Sequence, residues 1–198
     1  MPEMVALEKV FCRSAPWRWW TRRYVMPWAL QGVSPSGRAL EIGAGGGIMA
    51  TAMLDRFPDL ELVVTDYDGA MLAAGQRFLE RFGPRANLEI ADATSLGFAD
   101  HSFDYVFSFI MLHHVVEWEK AFAEALRVLR PGGWLLGYDL LDNRMFRGLH
   151  RLERAKVRSM TLPELDSVLS DLPVSRAVLT GRGSLLRFRI QKGQRPEG

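Results

Sequence analysis

The chain has 198 residues and a mass of 22.4 kDa, enough for one domain with a proper core, and its 48% hydrophobic residues exclude a disordered chain. No apolar run approaches the roughly 20 residues that span a bilayer, no signal-peptide core opens the sequence, and a single cysteine, Cys12, excludes an intrachain disulfide and a cysteine-based zinc site; the cytoplasm is the expected compartment. The net charge of +2 is unevenly spread: residues 1–38 hold six basic and two acidic residues, residues 39–143 seven and sixteen, and residues 144–198 twelve and five. Basic ends of this kind are either solvated faces or aids to holding an anionic or membrane-associated substrate.

Residues 1–37 form an N-terminal segment holding four of the six tryptophans, interleaved with arginine from Pro16-Trp17-Arg18-Trp19-Trp20 to Pro27-Trp28. The pattern predicts one or two short helices, with Pro16 near a start and Pro27 near an end. Such a segment can pack as a lid, lie on a membrane surface or make an oligomer contact; nucleic acid is not expected, since no binding module is visible. Ser34-Pro35-Ser36-Gly37 is a turn.

Ala39 to Ile42 reads as the end of a buried strand. Glycine follows at once: Gly43-Ala44-Gly45-Gly46-Gly47. A loop of this kind tolerates positive φ and close approach of a ligand, and a helix starting near Ile48 presents free N–H groups behind it. Helix Ile48 to Phe57 stops at Pro58-Asp59. Strand Leu60 to Thr65 follows and is closed by Asp66, about 20 residues past the loop, where a carboxylate can accept from ribose hydroxyls. The competing reading makes Asp66 or Asp68 the N-cap of helix Met71 to Phe82. Gly83-Pro84 ends that helix, strand Leu88 to Ala91 comes next, and Asp92-Ala93 closes it.

Asp100 to Asp104 is a turn before strand Tyr105 to Phe109, which is nearly all apolar and so buried on both faces. The run continues through Leu112-His113-His114-Val115. Neighbours on a helix diverge by about 100°, so His113 and His114 are poorly placed to share a metal ion, and no metal is expected. Helix Glu119 to Leu129 is stopped by Arg130-Pro131-Gly132-Gly133, and strand Trp134 to Tyr138 brings Tyr138, Asp139 and Asp142 to the strand's C-terminal end. Asp142 to Met160 is a basic connection. Thr161 and Glu164 make a capping box for the next helix. Strands Ser175 to Leu179 and Leu185 to Ile190 close the fold, with Leu186, Phe188 and Ile190 on a buried face, and residues 191–198 read as a polar, frayed tail.

The acid Glu41 one residue before Gly43-Ala44-Gly45-Gly46-Gly47, the stretch Thr65-Asp66-Tyr67-Asp68-Gly69-Ala70-Met71-Leu72, Asp92-Ala93, and Ser102 to Val115 together resemble, in order, the motifs of the class I S-adenosylmethionine (SAM)-dependent methyltransferases. The resemblance covers roughly residues 38–190. It implies an α/β, Rossmann-like, doubly wound sheet of seven mostly parallel strands with the last antiparallel. It implies SAM as cofactor, S-adenosylhomocysteine (SAH) as product, and a small-molecule acceptor, apolar or anionic. Glu41, Gly43, Ala44, Gly45 and Gly47 would lie near the methionine part of the ligand. Asp66 would hold the ribose, Tyr67 and Met71 would flank the adenine, Asp92 and Ala93 would bind it, and Phe109 would sit beside the methionine part.

The family has no universal catalytic residue, and His113, His114 and Asp139 are the candidate bases. For the histidines the competing reading is one scaffold residue and one exposed. For Asp92 it is a plain turn residue. Two other functions stay open at this point: a SAM-binding protein without catalysis, and a NAD-dependent oxidoreductase, whose G-x-G-x-x-G/A fingerprint fits on letters from Gly45 but gives no reason for an acid at the strand end.

Overall fold

The computed structural model describes residues 15–141, 158 and 160–194. Three short helical pieces run end to end: α1 (Ala15–Trp20), a π-helical stretch (Thr21–Val25) and α2 (Met26–Leu30). Pro27 was expected near a helix end, yet the helix passes through it to Leu30. The reason is local. The turn ahead of Pro27 is widened, with the N–H of Met26 bonding to the carbonyl of Thr21, and a π turn removes the usual clash between a proline ring and the carbonyl four residues back. Gln31 then ends the helix in a left-handed conformation.

The remainder alternates strand and helix: β1 (Gly37–Ile42), α3 (Ile48–Arg56), β2 (Leu60–Asp66), α4 (Gly69–Leu79), a 3₁₀ stretch (Glu80–Arg85), β3 (Ala86–Ile90), β4 (Phe103–Phe109), α5 (Trp118–Val128), β5 (Leu129–Leu140), α6 (Leu162–Ser170), β6 (Val174–Arg182) and β7 (Leu185–Lys192). One seven-stranded sheet results, in the order β3-β2-β1-β4-β5-β7-β6. β1 to β5 run parallel, and β7 lies antiparallel between β5 and β6. The order reverses between β1 and β4, and the crevice outside the C-terminal ends of the strands at such a reversal is where open α/β sheets bind ligands.

Both faces of the sheet are covered. One carries Leu40, Val106, Leu135 and Phe188 against Trp118, Phe122 and Leu126 of α5 and Leu165 of α6. The other carries Ala39, Leu62, Phe107 and Leu136 against Met26, Ala29 and Leu30 of α2 and Met53 of α3. Each large side chain buried there contributes about 1.5–3 kcal/mol, so the N-terminal helix is fastened to the sheet by its own apolar side.

β7 is longer than its alternation suggests. Gln191 and Lys192 were expected in a frayed tail, but both belong to the strand. Lys192 is buried because its ammonium donates to the carbonyls of Arg127 and Leu129 at 3.1 and 2.7 Å. β5 also starts earlier than the Pro131-Gly132-Gly133 turn implies. Leu129 pairs with Phe103, and the register then shifts before Tyr105 meets Trp134.

Candidate functional site

The carboxylates of Glu41, Asp66 and Asp92 stand at or just beyond the ends of β1, β2 and β3, which are neighbours in the sheet. Loops tie these ends together. The N–H of Ala44 donates to the carbonyl of Thr65 at 2.8 Å, the Thr65 hydroxyl donates to the carbonyl of Glu41 at 2.8 Å, and the N–H of Ala91 donates to the carbonyl of Asp66 at 3.1 Å.

Between β1 and α3 the glycine loop has φ of +67° at Gly43, +54° at Gly45 and +69° at Gly47. Gly43 has a second reason to be glycine: a Cβ there would lie 2.6 Å from the side chain of Met111, which reaches over from the segment after β4. The loop is also held from beneath by α4. A Cβ on Gly75 would come within 2.8 Å of the carbonyl oxygen of Gly46, so helix and loop backbones touch. Sequence reasoning passed over Gly75; a glycine in a helix interior was the available signal. Met71 packs on the same loop, its terminal methyl 3.4 Å from where a Cβ of Gly45 would stand.

Glu41 is almost completely buried, and its Oε2 meets no hydrogen-bond donor. Burial, and after it the nearby charge of Asp66, pushes its pKa up to about 8. Asp66 accepts the N–H of Gly45 through Oδ2 at 2.7 Å and the N–H of Asp68 through Oδ1 at 2.8 Å. Its pKa is still raised, since desolvation outweighs those bonds and a smaller one from the backbone N–H of Tyr67. The N-cap role falls to Asp68, which accepts from the N–H of Ala70. A carboxylate has about four acceptor directions, so Asp66 keeps accepting capacity beyond its backbone bonds. Asp92 is in part the turn residue of the plainer reading: its Oδ1 accepts both the N–H and the hydroxyl of Thr94 at 2.8 Å. Ala93 is buried beside it, and Tyr67 is exposed just after β2.

On the other side of the reversal, Ile110 takes φ of +52° directly after β4. That conformation is strained for a β-branched residue, and such strain clusters at functional sites; nothing in the sequence announces it. Phe109 stacks between Phe107 and Tyr138, 5.8 Å from each, and Tyr138 meets Trp28 of α2 at 5.3 Å.

Leu112–His114 forms a single 3₁₀ turn. Asp139, fully buried at the end of β5, holds it: Oδ2 accepts the N–H of Leu112 at 2.6 Å and Oδ1 lies 2.7 Å from Nδ1 of His113. The two histidine rings were expected to diverge, but they meet at a centroid distance of 4.0 Å. His113 is buried and His114 half-buried, so neither is the exposed member of the pair. Neighbours in a 3₁₀ turn diverge by about 120° at the backbone, so the contact comes from the side-chain rotamers, that of His113 being fixed by Asp139. Asp142 lies outside the described residues.

The methyltransferase-domain family matches residues 40–137. A ubiquinone/menaquinone biosynthesis C-methyltransferase from Dinoroseobacter shibae is 43% identical over 102 residues, 50% of this chain and 40% of the relative. A malonyl-[acyl-carrier protein] O-methyltransferase from Methylococcus capsulatus is 36% identical over 104 residues, 51% of this chain and 36% of the relative. The chain thus spans about two fifths of the length of these curated relatives. The crystal structure of phosphoethanolamine N-methyltransferase 2 from Haemonchus contortus, in complex with SAM, shares the fold with a TM-score of 0.78, at 16% identity, over 98% of this chain and 62% of that one.

Proposed function

The chain belongs to the class I SAM-dependent methyltransferases, and from that premise we propose that it moves the methyl group of SAM to a small-molecule acceptor held above the C-terminal ends of β4 and β5. The observation that carries this reading is the carboxylate of Glu41, buried with one oxygen unpartnered at the edge of the glycine loop. A buried carboxylate without a donor is costly, and it suits a ligand that brings an ammonium group. The three strand-end acids and the positive-φ loop fit the amino-acid, sugar and base parts of such a ligand.

When bound, the sulfonium supplies an already activated methyl group, so the chain has mainly to align the acceptor and exclude water. Glu41 accepts from the ammonium, and the backbone from Gly43 through Ala44 and Gly45 to Gly47 surrounds the methionine part. Asp66 offers its remaining acceptor directions to the ribose hydroxyls. Tyr67 and Met71 flank the adenine, Asp92 accepts from its amino group through the oxygen not used by Thr94, and the N–H of Ala93 meets a ring nitrogen. Phe109 lines the methionine end.

For an acceptor atom that carries a proton, His113 is the base this reading favours. Its Nδ1 faces the Asp139 carboxylate, an arrangement in which Nδ1 holds the hydrogen and Nε2 carries the lone pair. Asp139, having no route of its own out of the core, positions the ring. His114, stacked on that ring, is the weaker candidate.

The relatives above methylate carbon in one case and oxygen in the other, by their names, while each matches about half of this chain, and the family match lies at residues 40–137, which hold the glycine loop and the three strand-end acids. Similarity there speaks for the cofactor, and the acceptor is set elsewhere. The test is to incubate the protein with SAM and a panel of quinols, phenols and carboxylic acids, free or as thioesters, and to measure SAH. Acceptor-dependent SAH supports the reading. SAM binding without turnover on any member would support a binding protein, and absence of SAM binding would overturn it.

A further inference from the structure

The helical segment ahead of β1 carries an exposed surface that includes none of the residues assigned above to SAM or to the acceptor. Residues 15–36 contain three arginines and no acid. The inner side is buried through Thr21, Met26, Ala29 and Leu30. The outer side exposes Trp19, Trp20, Tyr24 and Trp28 at 61, 49, 44 and 39%. Trp20, Tyr24 and Trp28 are spaced by four in the sequence, and Trp20 and Tyr24 are in ring contact. Tyr24 packs edge-on against Trp19 at 5.8 Å and against Trp20 at 4.6 Å.

Arginine borders the stripe. Arg23 lies over the Tyr24 ring at 5.1 Å, and Arg22, largely exposed, reaches Asp55 at 2.9 Å. Four large aromatic side chains held out in water on so short a segment are unusual for a free surface.

The chemistry of the patch selects among occupants. Tryptophan and tyrosine combine an apolar body with a polar tip, which suits the boundary between lipid headgroups and acyl chains. Arg23, over the Tyr24 ring, is the cation on this face that suits anionic phosphates, Arg22 being paired with Asp55. A second copy of this chain suits it less well, because residues 19–28 hold arginine and no acid, so a two-fold contact would bring together two faces that lack the opposite charge. We propose that the outer face of residues 19–28 docks on an anionic phospholipid bilayer, with Trp19, Trp20 and Tyr24 in the headgroup layer. Trp28 joins that face to Tyr138 at the C-terminal end of β5, so the docked face adjoins the ligand-binding edge of the sheet. The proposal does not depend on the reaction proposed above.

The test is co-sedimentation of the full chain with vesicles of phosphatidylcholine alone and of phosphatidylcholine mixed with phosphatidylglycerol. The wild type should sediment with the anionic vesicles and be released by high salt. The double variant Trp19→Ser/Trp20→Ser should bind them at least about tenfold more weakly, while its SAM affinity by calorimetry and its thermal midpoint stay at wild-type values. Wild type left in the supernatant with both vesicles would overturn the proposal. So would a variant that sediments as well as the wild type, and so would a wild-type dimer by light scattering that this variant turns into monomer. A protein that binds vesicles but not SAM would leave the docking face standing and remove the proposed reaction.

Discussion

Asp66, at the end of β2, accepts the backbone N–H of Gly45, in the middle of the glycine loop, at 2.7 Å. The strand end proposed to hold the sugar thus also sets the shape of the loop proposed to hold the amino-acid part. Asp66→Ala removes both functions at once. SAM binding should weaken by about 1–3 kcal/mol, the range for hydrogen bonds to a charged group, and the thermal midpoint should fall as well. Calorimetry and a melting curve on the same sample check this. Unchanged affinity in a folded variant would show that the ribose lies elsewhere.

Glu41 makes the apo protein sensitive to pH. Its folded pKa is about 8 against an ordinary 4.5, because burial disfavours the charged form. The folded state therefore favours the protonated acid. Stability from this group is full below pH 4.5, declines as pH rises from there towards 8, and is flat above. Glu41→Gln should flatten that part of the apo stability curve and make the protein more stable than wild type above pH 8. The same variant should bind SAM more weakly. Pairing with an ammonium requires the ionised acid, so at pH 7 the wild type should release close to one proton on binding SAM. Calorimetry in buffers of different ionisation enthalpy measures that release, and Glu41→Gln should abolish it.

Gly75 tests whether α4 supports the loop from below. A methyl at this position would stand 2.8 Å from the carbonyl oxygen of Gly46, which is backbone and yields only if the loop shifts. Alanine is otherwise the better helix residue by about 1 kcal/mol. Gly75→Ala should therefore lower SAM affinity by at least about tenfold, in the range of overpacking costs, with little or no loss of helix content by circular dichroism.

His113 and Asp139 separate by experiment. In Asp139→Asn one of the two accepting oxygens becomes an NH2 group, so the N–H of Leu112 and the partners of the other oxygen, His113 and the N–H of Leu140, cannot all be served; a buried donor left unpaired costs about 1–3 kcal/mol, and the melting point should fall. His113→Gln keeps a polar group of similar reach. It should lower turnover by about 10²-fold or more, in the usual range for general acid–base catalysis, while SAM affinity stays within about twofold. Unchanged turnover in this variant would assign His113 a scaffold role.

Much of the fold was legible because each signal was local. Apolar runs ending in Glu41 and Asp66, and the glycines between Ile42 and Ile48, fixed strand, turn and helix within a few residues. Thr161 and Glu164 formed the capping box that their spacing implied, with both reciprocal bonds present. What escaped depends on partners far along the chain. Gly75 matters because α4 comes to rest on Gly46. Lys192 is strand because it pairs with Val174 of β6, and it is buried because carbonyls 63 and 65 residues away receive its ammonium. His113 and Asp139 were each singled out, but their pairing across 26 residues exists only once β4 and β5 are neighbours. Pro27 was misplaced because the widened turn ahead of it leaves no mark in the sequence.

The most direct test of the central claim is titration calorimetry of the wild-type chain with SAM, SAH and NAD under one set of conditions. The account predicts saturable one-to-one binding of SAM and SAH and none of NAD. Binding of NAD without SAM, or of neither, would contradict it.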